Sequence, residues 1–291
     1  MAKHKVYYKT NLGQAILGDS LSYLRKIESE SVNLILTSPP FALTRAKEYG
    51  NKVEDDYINW FLEYGKESFR ILQNDGSFVI DLGGAYLPGN PTRSLYQFEL
   101  LIRLCKEIGF NLAQEFYHYN PSRLPTPAEW VTIRRVRVKD SVNVVWWLSK
   151  TKNPKADNRK ILKPYSESMK GLLKNGYKAQ LRPSGHDISE KFANDNGGAI
   201  PANLLELANT ESNSYYLRRC KEDGVKAHPA RFPKGFSDFF VKFLTDENDL
   251  VVDPFSGSNT TGYSAECLKR RWVSIELNEA YMEASKYRFE E

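Results

Sequence analysis

The sequence is poor in the residues that staple or metallate a protein. Its 3 cysteines, Cys105, Cys220 and Cys267, are scattered and odd in number, so no disulfide framework is expected and a reducing cytoplasm is the expected setting. The histidines His4, His118, His186 and His228 share no ligand spacing with one another or with cysteine, which argues against a metal centre. No apolar run approaches the ~20 residues that cross a bilayer, and Met1-Ala2-Lys3-His4-Lys5 lacks the apolar core expected of a signal peptide. Glycine is missing where a dinucleotide site needs it. Gly257 stands alone in its loop, no G-x-G-x-x-G pattern occurs, and a nicotinamide oxidoreductase is therefore disfavoured. The rest is ordinary: 291 residues, 41% of them hydrophobic and 26% charged, suit one large α/β domain, alone or with a small insert.

The net charge of +5 is modest, but its distribution is uneven. Between Val131 and Arg182 stand 14 Lys or Arg against 3 acidic residues, while the remainder of the chain is net acidic. A lysine-rich surface explains a charge run by itself. A run lying between chemistry-bearing motifs points more sharply to a face built for a polyanion, and nucleic acid is the expected partner.

Two strand-to-loop junctions carry the chemistry. The run Val32-Asn33-Leu34-Ile35-Leu36 reads as a buried strand and ends in Thr37-Ser38-Pro39-Pro40-Phe41. Proline fixes φ and lacks an N–H, so the carbonyls near Ser38 and Pro39 cannot continue a ladder or a helix. They form stiff acceptors beside a hydroxyl and an aromatic ring, an arrangement suited to a substrate amino group. The second junction is Leu250-Val251-Val252-Asp253-Pro254-Phe255-Ser256-Gly257-Ser258-Asn259-Thr260-Thr261. It reads as strand, small-residue loop and capped helix start, where backbone N–H groups are unsatisfied. Glu276 follows 23 residues after Asp253, at the end of Trp272-Val273-Ser274-Ile275. A carboxylate at that distance, closing the next strand, can hold a ribose diol.

Together these stretches resemble the DNA amino-methyltransferases that use S-adenosylmethionine, and the order of the motifs resembles their permuted beta class. Ser38-Pro39-Pro40-Phe41-Ala42-Leu43, Asp81-Leu82-Gly83-Gly84-Ala85-Tyr86, Arg182-Pro183-Ser184-Gly185-His186-Asp187 and His228-Pro229-Ala230-Arg231-Phe232-Pro233 extend the likeness from about Gly18 to the C-terminus, in the cytosine-N4 type. The resemblance implies a mostly parallel, Rossmann-like methyltransferase sheet with helices on both faces and an antiparallel closing pair. It implies Ser38, Pro39, Pro40, Phe41 and Asp81 as catalytic residues. Asp253, Pro254, Phe255, Gly257, Ser258, Asn259, Thr260, Glu276, Phe232 and Pro233 are then cofactor residues, with Asp19 on the cofactor's adenine. Asp19 serves equally well as a helix cap, and Asp81 as a structural residue of a Gly-rich loop. Candidate DNA contacts are Arg134, Arg135, Arg137, Arg182, Ser184 and His186, although Arg182–Asp187 also reads as a simple turn.

In chain order, Gln14–Asp19 is an expected strand, Thr44–Asp56 a polar lid, Tyr57–Leu72 a helix with Trp60 and Phe61 in the core, and Ser77–Asp81 a strand. Leu95–Ile108 is an expected helix ended by Gly109, and Leu112–Tyr119 with Val142–Leu148 the antiparallel pair. Helices follow at Phe236–Leu244 and Glu279–Phe289. Residues 1–150 are expected to form the first part of the catalytic domain, 151–225 an inserted target-recognition region and 226–291 the cofactor-binding part.

The expected reaction moves a methyl group to the N4 of a cytosine flipped out of duplex DNA, in a restriction-modification setting with a cognate endonuclease encoded alongside. Cytosine-5 chemistry needs a Pro-Cys thiolate, and no cysteine here follows a proline. Adenine-N6 methylation is the main alternative, since Ser38 alone separates the two. A DNA-binding protein that has lost catalysis is a remoter one. The expected oligomeric state is a monomer or a homodimer.

Overall fold

The computed structural model describes residues 4–41, 54–87, 89–176, 194–209 and 214–290. Nine strands form one sheet: β1 (Lys5–Lys9), β2 (Gly13–Leu17), β3 (Val32–Thr37), β4 (Leu72–Leu82), β5 (Asn111–Tyr119), β6 (Val142–Ser149), β7 (Leu204–Glu206), β8 (Leu250–Asp253) and β9 (Arg271–Glu276). Their spatial order is β1-β2-β9-β8-β3-β4-β6-β5-β7. From β2 to β4 every pairing is parallel, whereas β6 runs antiparallel to both β4 and β5. All six residues of β3 are buried, as a central parallel strand requires, and its near-continuous apolar run is why the sequence marks it.

The helices are α1 (Ser20–Leu24), α2 (Glu54–Ile71), α3 (Tyr96–Arg103), α4 (Glu167–Asn175), α5 (Tyr215–Glu222), α6 (Lys234–Leu244), α7 (Thr260–Cys267) and α8 (Glu279–Ser285). The main core gathers α2 side chains such as Tyr57, Phe61 and Ile71 against Ile35, Phe78, Ile80 and Val252 of the sheet. The expected Leu95–Ile108 helix ends in a widened turn at Leu104–Ile108, closed by Gly109 at φ 103°. The expected final helix tightens into a 3₁₀ turn at Lys286–Phe289.

Three expectations need correction. Glu54–Asp56 begin α2 instead of ending a loop, because a polar first turn costs a helix little. The rest of the expected lid lies outside the described residues. Trp60 is not core: it is partly buried beside the core, and its ring faces a pocket. Finally, the region 151–225, read as an insert, carries β7, which adds parallel to β5 through Tyr117, His118 and Tyr119, and α5.

Two compact units emerge. The first comprises Met1–Ala156 and Asn203–Glu291, and so includes β7 and α5; the second comprises Asp157–Ala202. Within the second, Asn158–Ile161 forms a 3₁₀ turn, Lys163 bridges Ala199, and Ser166 caps α4 through the Met169 N–H at 3.2 Å. Arg182, Ser184 and His186 lie outside the described residues.

Candidate active site

A pocket of about 430 Å³ opens where β3, β4, β8 and β9 end. Carboxyl ends of parallel strands leave backbone groups and loop side chains converging on one crevice, which is where open α/β sheets bind ligands. The two sequence junctions meet there because β3 and β8 are neighbours, with Leu34 opposite Val251 and Ile35 opposite Val252. Ser38, Pro39, Pro40 and Phe41 line one side; Pro254, Phe255, Gly257, Ser258, Thr260 and Glu276 line the other, with Asp19, Asp81 and Phe232 also in the wall.

On the β3 side, the Ser38 hydroxyl donates to Asp81 Oδ2 at 3.3 Å. Asp81 is buried, and its Oδ1 has no hydrogen-bond partner among the described residues. Burial raises its pKa, opposed by His118, Asn143, Ser38 and Arg123. The Phe41 ring lies directly on Gly83, where a Cβ would come within 2.3 Å of it. That glycine is the space the ring needs.

On the β8 side, Asp253 serves differently from expectation. It is 2% exposed and does not line the pocket. Its Oδ1 accepts from Thr37 Oγ1 at 2.7 Å and from the Phe255 N–H at 3.0 Å, and its Oδ2 accepts from Thr261 Oγ1 at 2.7 Å. The carboxylate thus clamps β3, the loop and α7 together, and burial pushes its pKa up to about 6. Asn259 is likewise structural. It caps α7 from a left-handed backbone at φ 57°, its Oδ1 accepting from the Gly262 N–H at 3.1 Å and from Ser274 Oγ at 2.6 Å. Pro233 precedes α6 and does not line the pocket either. Buried and turned to their own loop, Asp253 and Asn259 do not reach the pocket, and the motif pattern does not show that engagement.

Glu276 does face the pocket. Its Oε2 accepts from the Gly257 N–H at 2.9 Å and its Oε1 from the Asn278 N–H at 2.8 Å, so both oxygens are oriented and each keeps a further acceptor site. Burial raises its pKa. Asp19 both caps α1, through the Ser22 N–H at 2.8 Å, and lines the pocket, so its two readings coexist. Gly257 adopts φ 50°, and a Cβ there would meet the His228 ring at 3.2 Å. Burial lowers the His228 pKa to about 4, so the ring packs as a neutral plate against the loop.

The arginines read as DNA contacts divide. Arg137 lies over the Tyr86 ring at 4.8 Å and pairs with Asp140 at 3.6 Å, so it is committed internally. Arg134 is exposed and stacks on Trp130 at 5.0 Å, and Arg135 is exposed. None of the three lines the pocket. Sequence reasoning missed several residues that do, among them Trp60, Tyr64, His118, Arg123 and Asn143. Trp60 and Tyr64 sit one turn apart on α2 and flank Phe255 at 5.6 and 4.8 Å, a pairing that the helical spacing of a pocket-side stripe could have suggested. Arg288, also missed, is buried and donates to the Ser258 carbonyl at 2.8 Å and hydroxyl at 3.2 Å, fixing the cofactor-side loop.

Residues 32–287 match the family model described as DNA methylase. The chain belongs to the DNA methylase family. The Type II methyltransferase M.PvuII of Proteus hauseri is 53% identical over 98% of this chain and 86% of its own length. The solved structure of a PvuII DNA methyltransferase (cytosine-N4-specific) superposes with a TM-score of 0.81 at 46% identity, covering 99% of this chain and 90% of that one. The DNA adenine methyltransferase YhdJ of Escherichia coli (strain K12) is 25% identical over 92% of this chain and 79% of its own. The methylase therefore carries its family's fold, a largely parallel sheet with an antiparallel β4-β6-β5 end.

Proposed function

We propose that this methylase transfers a methyl group to the exocyclic N4 of a cytosine flipped out of duplex DNA, with S-adenosylmethionine as donor, as the protective enzyme of a restriction-modification system. The observation that carries the reading is the meeting of Ser38 and Asp81 with the Gly257–Glu276 cradle in one pocket, at the ends of adjacent strands. The 53% identity to a Type II methyltransferase supports the target and the setting.

The cradle fits that donor. Glu276 offers oriented carboxylate oxygens to a ribose diol, and Asp19 offers an acceptor to an adenine amino group. The Ser256 hydroxyl lines the pocket buried and without a partner among the described residues, suited to the amino-acid portion. When bound, the cofactor supplies an electrophilic methyl group on a sulfonium.

The chain's own residues prepare the amine. The cytosine N4 lone pair is delocalised into the ring and is a poor nucleophile. Because Ser38 donates its proton to Asp81, its oxygen lone pairs are left to accept one N4–H, and the Pro39 carbonyl accepts the other. Fixed acceptors localise charge on nitrogen without reorganising. N4 gains the carbon bond that the sulfonium sulfur loses, with that bond's electron pair left on sulfur, and gives up one proton; Asp81, whose pKa burial raises and which accepts from Ser38, is placed to take it. Phe41, seated on Gly83, offers a face for the flipped base.

The test incubates the protein with unmethylated plasmid DNA and methyl-labelled S-adenosylmethionine, then separates the nucleosides. Label in N4-methylcytosine is the expected result. Label in N6-methyladenine would overturn the choice of target base while leaving the cofactor cradle standing.

A further inference from the structure

Among the polar residues of the pocket wall that take no part in the donor cradle or the amine step are Arg123, Asn143 and His118. They come from the antiparallel end of the sheet. His118 lies on β5, Asn143 on β6, and Arg123 in the turn after β5. Arg123 Nη1 donates to Asn143 Oδ1 at 3.0 Å, and Asn143 stands close enough to Asp81 to favour its ionised form. Asp81 in turn receives the Ser38 hydroxyl. A continuous polar line Ser38, Asp81, Asn143, Arg123 therefore runs along one wall, with acceptors at its first end and a cation at its last.

The arginine is held at that place. Its backbone N–H donates to the Asn120 carbonyl at 3.2 Å, and its own carbonyl accepts from Lys139 Nζ at 3.2 Å. Of the guanidinium's N–H groups, only Nη1 has a partner among the described residues, so donors remain free at the pocket wall. His118 closes the floor: its Nε2 donates to the Leu207 carbonyl at 3.3 Å, and its Nδ1 is buried without a partner among the described residues. A buried carboxylate oxygen and a buried ring nitrogen without partners, beside surplus guanidinium donors, describe a site shaped for a flat heterocycle with both donors and acceptors on its edge.

Cytosine presents an amino group, a ring nitrogen and a carbonyl in succession along one edge. With its amino group at Ser38, its carbonyl end extends along the same wall. Adenine presents the amino group and the ring nitrogen but has a C–H where cytosine has its carbonyl. We infer that Arg123, held by Asn143, donates a hydrogen bond to the O2 carbonyl of the flipped cytosine and thereby selects cytosine over adenine. This rests on the placement of N4 at Ser38. A site built to donate to a carbonyl rejects a base lacking it, because its own donors are left unpaired.

The experiment measures single-turnover methylation by the full chain on duplexes carrying the site it marks in plasmid DNA, with cytosine, 2-thiocytosine or adenine at the target position. Sulfur is a weak acceptor, so the wild type is expected to lose on the order of 10- to 100-fold on 2-thiocytosine, the scale of one charged hydrogen bond. Arg123→Met is expected to lose a similar factor on cytosine and little more on 2-thiocytosine, the non-additivity that marks a direct contact. Its adenine-to-cytosine rate ratio rises by the same factor, and Arg123→Lys recovers part of the cytosine rate. Equal slowing of Arg123→Met on all three bases would overturn the inference. If the salt dependence of binding also flattened by about one unit, Arg123 would be reading a phosphate. Should Arg123→Met fail to fold, Arg123→Lys must still show a changed 2-thiocytosine penalty, and an unchanged one counts against the contact. If Ser38→Ala keeps the full cytosine rate, the placement of the base falls first; if it loses that rate while Arg123→Met discriminates as the wild type does, only the present inference falls.

Discussion

The hydroxyl of Thr37 donates a 2.7 Å hydrogen bond to Asp253 across 216 residues of sequence, and this one bond ties the last residue of β3 to the last residue of β8. It sets the spacing between the side of the pocket that holds the base and the side that holds the donor. Thr37→Val leaves the threonine's volume in place and removes the bond. The expected cost is about 1–3 kcal/mol, the scale for a buried acceptor that loses a partner. A urea-unfolding midpoint compared with wild type measures it.

Asp253 gives a pH signature. Its folded pKa, about 6, lies above the ordinary carboxylate value of 3.8. A raised folded pKa means that the folded state holds its proton more tightly, so this group's contribution is present at low pH and is lost as pH rises from about 4 through about 6. Asp253→Asn cannot ionise. Its stability deficit against wild type is therefore expected to be largest near pH 4 and to shrink by on the order of 2–3 kcal/mol by pH 7. Unfolding midpoints of both proteins across that range test the sign, and a deficit that grows with pH would contradict it.

Ser38→Ala removes the acceptor for the target amine without touching the donor cradle. The single-turnover rate is expected to fall about 100-fold or more, the scale for losing one preorganised polar contact at a reacting centre. Cofactor affinity by calorimetry should stay within about twofold of wild type, since this pocket wall is separate from Gly257 and Glu276.

Gly83→Ala acts on the same wall by crowding. A methyl group there would sit 2.3 Å from the Phe41 ring and displace it. If that ring stacks on the flipped base, about 1–3 kcal/mol of stacking is at stake. The expected result is a rise of about tenfold in the apparent KM for DNA with unchanged S-adenosylmethionine binding, read from paired DNA and cofactor titrations.

Arg288→Met tests the other wall. Its buried guanidinium holds the carbonyl and hydroxyl of Ser258. Without it the loop carbonyl is orphaned, and S-adenosylmethionine is expected to raise the melting temperature less than it does in wild type. An unchanged thermal shift would mean that the loop keeps its shape without this support.

The sequence made the central strands plain because buried parallel strands are near-continuous apolar runs, as Leu34–Leu36 of β3 and Leu250–Val252 of β8 are. The loop motifs marked the pocket for a related reason: prolines leave few conformations, and Gly257 takes a left-handed turn that other residues rarely adopt. Their internal engagement was invisible. Nothing in Asp253 or Asn259 as letters tells that their oxygens are consumed by Thr37, Thr261, Gly262 and Ser274. Arg123 and Asn143 were illegible for another reason. Arg123 lies in the turn after β5 and Asn143 near the start of β6, with no motif around either, and only the register of β5 with β6 sets His118 opposite Asn143. β7 escaped because three residues that pair only through tertiary contact carry no period of their own.

The long separation between Thr37 and Asp253 also orders events in time. At about 5–20 residues per second of synthesis, a ribosome finishes the strand that holds the base roughly 10–40 s before the strand that holds the methyl donor. Through that interval the nascent chain carries Ser38 and its prolines beside an empty place in the sheet, because β3 lacks the neighbour that completes it. The exposed edge of β3 is then a hazard for wrong pairing. The arrival of β8 covers that edge and brings the two sides of the pocket together in a single step, so a chain interrupted before it has no methylating intermediate form.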